Sequence, residues 1–252
     1  MANPSTESGA RALIVIPTYN ERENLPLLVA ELLKLDPPMD ILIVDDNSPD
    51  GTGRLADEMA ASHPQVHALH REGKLGLGTA YLDGFRWGLK PRHTEGGQGG
   101  YDLLMSMDCD FSHDPKYVPA LLEQAKTADL VIGSRYVPGG GTVGWGLHRK
   151  LISRFANTMV RALLGLRTHD TSAGFRCYRR ETLERIGLDN VRSKGYNVLE
   201  EMVFRCEKAG LRVVEVPITF PDRRHGETKI SVKDMVGVGT MVLRLFWRRI
   251  AG

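Results

Sequence analysis

Five short apolar runs, separated by stretches of helical periodicity, limit what this chain can fold into more than any other feature. Ala12-Leu13-Ile14-Val15-Ile16-Pro17 is continuously apolar and β-branched. Such a run suits a parallel strand covered on both faces, and Pro17 stops it. Residues 24–35 place Leu25, Leu28, Val29, Leu32 and Leu33 at helical spacing, and Pro37-Pro38 closes them. Ile41-Leu42-Ile43-Val44 reads as a second strand, 53–62 as a helix, 66–69 as a third strand and 77–89 as a third helix. A glycine-rich loop over 93–100 leads to the strand before Asp108. A helix over 115–125 then precedes Asp129-Leu130-Val131-Ile132-Gly133-Ser134-Arg135, the fifth strand. This alternation predicts a Rossmann-like α/β fold with a mostly parallel central sheet and helices on both faces. Ligands in such sheets bind at the carboxyl ends of the strands. Tyr19, Asp46, Asp108 and Arg135 all fall at predicted strand ends of that kind.

The richest of these ends is Asp108-Cys109-Asp110-Phe111-Ser112-His113-Asp114-Pro115. If the strand continues through it, Asp108 and Asp110 point to the same side. Two like charges that close repel unless a cation lies beside them, and one or two carboxylates plus substrate phosphates are a common magnesium arrangement. The plainer alternative is a polar strand end, with Asp114 capping a helix that opens on Pro115.

Gly73-Lys74-Leu75-Gly76-Leu77-Gly78-Thr79 has the ingredients of a P-loop in the wrong order and lacks the dinucleotide fingerprint. It reads as a tight turn whose helix N-terminus can face an anion. The glycines of 138–146 make either a mobile loop over a site or a connector. Residues 148–164 look helical, with Leu151, Ile152, Phe155, Met159, Val160 and Leu163 on an apolar face among Arg149, Lys150, Arg154 and Arg161. A helix over 197–208 carries Glu200 and Glu201. A strand over 213–218 follows, ended by Pro217 and Pro221, then a basic loop, Arg223-Arg224-His225-Gly226-Glu227-Thr228-Lys229, and a last helix from 231 to about 250.

Composition excludes several classes. A net charge of +2 over 252 residues is too small for wholesale nucleic-acid binding. Cys109, Cys177 and Cys206 are far apart and odd in number, which suits neither a zinc pattern nor a disulfide framework and fits a reducing cytosol. Residues 1–10 lack the apolar segment of a signal peptide and read as a disordered tail. No run reaches the ~18 apolar residues of a membrane span.

Pro17-Thr18-Tyr19-Asn20-Glu21, Val44-Asp45-Asp46-Asn47-Ser48-Pro49-Asp50-Gly51-Thr52, Asp108-Cys109-Asp110 and Gly133-Ser134-Arg135-Tyr136 together resemble the family 2 glycosyltransferases of GT-A fold. Arg149-Lys150-Leu151-Ile152-Ser153-Arg154 and the basic loop narrow this. The set looks like the dolichol-phosphate mannose synthases, or polyprenol-phosphate mannosyltransferases, and covers residues 12–235 in order.

The resemblance implies one GT-A domain over 11–230, a C-terminal amphipathic helix over 231–252, a GDP-mannose donor, a dolichyl or undecaprenyl phosphate acceptor, and Mg2+ or Mn2+. It implies that Pro17, Tyr19, Glu21, Val44 and Asp46 hold the guanosine end. Asp108, Cys109 and Asp110 would meet the nucleotide and its metal, and Arg223 and Lys229 the donor diphosphate. The family's glutamine metal ligand is replaced here by Ser112. Asp110, Arg135, Arg223 and Lys229 are then the expected catalytic set.

A phosphate monoester nucleophile, with a second pKa of about 6, needs no strong base. It does need cations, for which Arg135, Arg149 and Lys150 are candidates, the last two being open to a plain surface reading. Glu201 is open to two readings, orienting a sugar hydroxyl or serving as a satisfied helix-face acid. In-line attack would invert the anomeric centre. The last helix, with Met241, Val242, Leu243, Leu245, Phe246 and Trp247 beside Arg244, either lies in a membrane interface or packs on the domain. The first places the protein peripherally on the cytoplasmic face of a membrane. Rival readings are another donor such as UDP-glucose, a metal-dependent nucleotidyltransferase, and an inactive nucleotide-binding module.

Overall fold

Every residue of β1 (Ala12–Thr18) is buried, and the reason is its place at the centre of the sheet. It pairs in parallel with β2 (Asp40–Asp45) on one side and β4 (Leu103–Ser106) on the other, with Ile14 opposite Ile41 and Met105. Strand side chains alternate between faces. Leu13 and Val15 therefore join Leu42, Val44 and Leu104 in one core layer, and Ile14 and Ile16 join Ile41, Ile43 and Met105 in the other. Helices cover both layers, which is why the strands are uniformly apolar rather than alternating.

The structure is a computed structural model that describes residues 10–91, 100–222 and 232–250. Between the strands named above lie α1 (Leu25–Leu32), α2 (Thr52–Ser62), β3 (Val66–His70) and α3 (Leu77–Leu89). After β4 come α4 (Val118–Ala125), β5 (Leu130–Ser134), β6 (Gly141–Val143), α5 (Leu147–Leu164), β7 (Arg176–Arg179) and α6 (Arg180–Ile186). The chain continues through α7 (Val198–Lys208), β8 (Val213–Pro217), β9 (Thr219–Pro221) and α8 (Val232–Ile250). The seven-stranded sheet runs β3-β2-β1-β4-β7-β5-β8, and β6 and β9 form a separate parallel pair.

The strands and helices expected of the first half are present, with α1 ending three residues early. Two later elements differ from expectation. β7 enters antiparallel between β4 and β5, with Tyr178 opposite both Leu104 and Leu130. Because both neighbours run against β7, they stay parallel to one another and their carboxyl ends share one edge. The glycine-rich stretch after β5 contains β6, which pairs with β9 beyond Pro217.

Local chemistry sets the helix starts. The Asp50 carboxylate accepts the Thr52 amide and hydroxyl at the head of α2. Asp114 accepts the Lys116 amide ahead of Pro115, as a cap does, although the first turn is 3-10 and α4 proper begins at Val118. α3 lies close on β1 because Gly84 has no side chain. A Cβ there would sit 2.3 Å from Val15. α8 packs Met241, Val242 and Leu245 into the same core layer as α3 and α7, so it is part of the domain rather than an appendage.

Candidate active site

Three neighbouring strands end in a backbone of the same unusual kind. Asn20 follows β1, Asn47 follows β2 and Phe111 follows β4, with φ of 58°, 56° and 61°. Left-handed φ is tolerated by Asn but is an outlier for a bulky aromatic. Such positions cluster where a loop must present particular groups. Side chains fix these loops. Asp45 accepts the Thr18 hydroxyl, the Ser48 amide and the Ser48 hydroxyl. The Glu21 amide donates to Thr52, and Asn24 donates to the Glu21 carboxylate.

β4 stops at Ser106, so Asp108 and Asp110 lie on a bend rather than on alternate positions of a strand. The tight Phe111 turn, not strand pleating, shapes the loop that carries them. Asp108 Oδ1 accepts the Tyr81 hydroxyl at 2.6 Å, and its amide donates to His113 Nδ1 at 2.9 Å. Asp110 Oδ1 accepts the Ser112 amide at 3.0 Å and the Ser112 hydroxyl at 2.5 Å. Burial and the two carboxylates push the Tyr81 hydroxyl well above its ordinary pKa, so it remains a donor. Burial holds the His113 imidazole below its usual value against the pull of Asp108 and Asp110. That agrees with a neutral ring accepting an amide proton. Burial, with Glu21, Asp110 and Asp108 nearby, keeps the Cys109 thiol protonated.

At the end of β2, Asp46 is buried and both its oxygens meet protein donors. Arg71 Nη1 donates to Oδ1 at 2.5 Å and the Gly76 amide to Oδ2 at 2.8 Å. Gly76 has φ +100°, a conformation open to glycine. The glycine-rich turn after β3 therefore braces Asp46, and the anion that its helix N-terminus faces is that carboxylate. Lys74 Nζ lies 4.1 Å over the Tyr19 ring. Val44 turns its side chain into the core, so only its backbone can face a nucleotide.

Across the sheet edge, Arg135 is not the open cation expected for a phosphate. Its Nε and Nη2 grip both oxygens of Asp170 at 2.7 Å, and Nη2 also donates to Ser172. Both partners are buried. Arg149 pairs with Asp222 at 2.9 Å and lies 3.9 Å over the Trp145 ring. Lys150 is exposed. An aromatic chain joins this side to the carboxylates: Trp145 meets Phe220 edge-on, Phe220 meets His113, and His113 stacks on Phe175. The Trp145 indole nitrogen is buried without a hydrogen-bond partner among the described residues.

Ser112 and Glu201 are both fully buried, and of the two readings open to Glu201 the structure shows the satisfied acid. Ser112 is fully buried and donates its hydroxyl to Asp110, so it orients that carboxylate rather than presenting itself as a ligand. Glu201 is fully buried and satisfied by Ser193, Arg205 and Arg244, which ties α7 to α8. Arg223 and Lys229 lie outside the described residues. Tyr81, Arg71, His113 and Asp170 were not singled out from sequence. The available signals were a tyrosine on a glycine-spaced apolar helix and an Asp in the turn that follows α5.

Among the described residues no three His, Cys, Asp or Glu side chains converge as a metal cluster. Asp108 and Asp110 offer hard oxygen donors to Mg2+ or Mn2+, with the other positions left to phosphate and water. On donor chemistry the pair fits such an ion.

Residues 13–187 match the model of Glycosyl transferase family 2, and the chain belongs to that family. It is 52% identical over 221 residues to the undecaprenyl-phosphate mannosyltransferase of Micrococcus luteus, covering 88% of each chain. It is 51% identical over 223 residues to the polyprenol monophosphomannose synthase of Mycolicibacterium smegmatis, covering 88% of this chain and 81% of that one. Glucosyl-3-phosphoglycerate synthase from Mycobacterium tuberculosis, crystallised with Mn2+, UDP and phosphoglyceric acid, superposes with a TM-score of 0.64 at 19% identity, over 96% of this chain and 78% of that one. The single domain with its mostly parallel sheet is thus the GT-A architecture that the sequence led one to expect.

Proposed function

We propose that this protein transfers mannose from GDP-mannose to a polyprenyl phosphate, undecaprenyl or dolichyl, releasing GDP and forming polyprenyl β-mannosyl phosphate. One observation carries the reading. The Asp108–Asp110 pair and the Arg135–Asp170 pair stand at the ends of β4 and β5 on one edge of the sheet, joined by aromatic contacts. A donor diphosphate placed by the carboxylates and an acceptor phosphate placed near Arg149 would meet there. The relatives named for polyprenyl-phosphate mannosyl transfer share about half of the chain's residues.

An acceptor phosphate that is largely a dianion at neutral pH attacks without a base. This suits a loop whose one histidine, His113, is buried, neutral and already accepting the Asp108 amide. Tyr81 and Ser112 hold the two carboxylates in fixed orientation, so little reorganisation accompanies the reaction. A divalent ion bound there would offset the charge growing on the leaving diphosphate. The cationic Arg149 draws the second anion towards the first. Arg223 and Lys229 are assigned to the donor diphosphate, on the motif they share with the family. The enzyme works as a peripheral protein on the cytoplasmic face of the membrane that holds the lipid acceptor.

The test is the released nucleotide. With GDP-mannose, polyprenyl phosphate and Mg2+ or Mn2+, GDP release is expected to depend on the acceptor. Release of pyrophosphate would point to nucleotidyl transfer instead, and activity with UDP-glucose alone would replace the donor.

A further inference from the structure

We propose that Trp145 is a positioning residue for the acceptor: it holds the Arg149 guanidinium so that Nε and Nη2 receive the phosphate monoester. The proposal deepens the proposed function, and rests on that reading for the arrival of such a phosphate.

Local chain geometry brings the two residues together. Trp145 stands between Gly144 and Gly146, and Gly146 is the N-cap of α5, whose first turn carries Arg149. β6 ends at Val143, whose carbonyl accepts the Asp222 amide at 2.9 Å. Its partner strand β9 carries Phe220, which meets the Trp145 ring edge-on at 5.7 Å. Gly144 has φ +82°, and a Cβ there would lie 3.2 Å from Asp222. A side chain at that position would be strained and would crowd the partner of Arg149.

Trp145 serves the cation rather than the fold. It is 9% exposed, and its indole nitrogen is buried without a hydrogen-bond partner among the described residues. An unmet buried donor costs stability, and a phenylalanine would avoid that cost. What tryptophan supplies is the strongest π face for a cation. Arg149 Cζ lies 3.9 Å from the ring centroid and Arg135 Cζ 5.6 Å, so one ring stands within cation–π reach of both arginines.

The two arginines differ in what they have left to offer. Arg135 spends Nε and Nη2 on Asp170 and Ser172. Arg149 gives Nη1 to Asp222, in a pair whose side chains are both partly exposed. Pairs of that kind contribute little, and a phosphate dianion competes with a carboxylate for the same cation. Support from the ring face takes no N–H group. Nε and Nη2 of Arg149 therefore remain without a hydrogen-bond partner among the described residues. Those two nitrogens form the planar edge that matches two phosphate oxygens. Ordering a long side chain costs binding free energy, and the ring has already ordered this one before the phosphate arrives.

The experiment is calorimetry of the full chain with geranyl phosphate, a short soluble phosphate monoester, and separately with GDP-mannose and Mg2+. Trp145→Leu is expected to weaken geranyl phosphate about tenfold and to leave GDP-mannose binding within about twofold. Trp145→Phe, which keeps a smaller π face, is expected to recover part of the loss. In an Arg149→Gln background neither Trp145 substitution should weaken binding further, because the residue acts through that arginine. Trp145→Phe carries the same comparison if Trp145→Leu does not fold. Additive losses in the double variants, an equal loss of GDP-mannose affinity, or unchanged binding in the folded Trp145 variants would overturn the proposal. So would a wild type that does not bind geranyl phosphate. The expected pattern in a protein that transfers no mannose would instead remove the proposed function and leave the Trp145 assignment standing.

Discussion

The Tyr81 hydroxyl, on the buried face of α3, donates to Asp108 Oδ1 at 2.6 Å and so ties a helix of the core to the loop that ends β4. A hydrogen bond to a charged group contributes about 1.5–3 kcal/mol. If that energy also maintains the carboxylate's geometry in the transition state, Tyr81→Phe is expected to lower kcat/KM by about ten- to a hundredfold as well as the melting temperature by roughly 3–12 °C. Steady-state kinetics beside a thermal melt check this, and unchanged kinetics would show that the bond is structural only.

Asp110 and Ser112 are expected to separate in their effects. Asp110→Ala should lose about 100-fold or more of the rate, and added Mn2+ should not restore it. Ser112→Ala removes the hydrogen bond that orients the carboxylate but leaves the carboxylate, so its deficit should be smaller and largely recovered at high metal concentration. Chelation of wild type with EDTA should abolish activity reversibly. Metal titrations of the three proteins make the comparison, and a Ser112→Ala enzyme as inactive as Asp110→Ala would restore Ser112 as a ligand.

Arg135 and Asp170 are a buried, doubly hydrogen-bonded pair. Breaking such a pair from one side strands a charge and costs about 3–5 kcal/mol. Asp170→Asn should therefore lower the melting temperature by roughly 6–20 °C, at about 2–4 °C per kcal/mol for a domain of this size. A melt that does not move would mean that Arg135 finds another partner.

Glu200 supplies a pH dependence. Burial raises its carboxyl from 4.5 to about 7, opposed by Arg176, and its Oε2 is buried without a hydrogen-bond partner among the described residues. Between those two values the folded state binds more protons than the unfolded state, so stability falls as pH rises through that window and the loss is complete above about 7. Glu200→Gln removes the effect. The variant should gain on wild type as pH rises from about 5 to about 7, by up to about 3 kcal/mol, measured by denaturant unfolding across that range. A difference that does not vary with pH would contradict the assignment.

The parallel half of the fold was legible because strands covered on both faces must be continuously apolar, and those runs stand out between amphipathic helices. β7 was not, because four residues of mixed polarity, Arg176-Cys177-Tyr178-Arg179, carry no pattern that distinguishes a strand inserted between β4 and β5. Side chains at strand ends were legible as positions and not as partners. Asp46 and Arg135 stand where expected, yet Arg71, 25 residues from Asp46, and Asp170, 35 residues from Arg135, decide what they do. The apolar periodicity of α5 was visible too. Period alone cannot say whether such a face meets the core or the outside, and the structure turns most of it outward.

The central claim is the transfer itself. Its most direct test incubates the protein with mannose-labelled GDP-mannose, polyprenyl phosphate and Mg2+ or Mn2+, extracts the lipid phase, and determines the anomeric configuration of the labelled product by NMR. Label in the lipid phase as β-mannosyl phosphate is the expected result. Label that stays in the aqueous phase, or an α-linked product, would contradict the account.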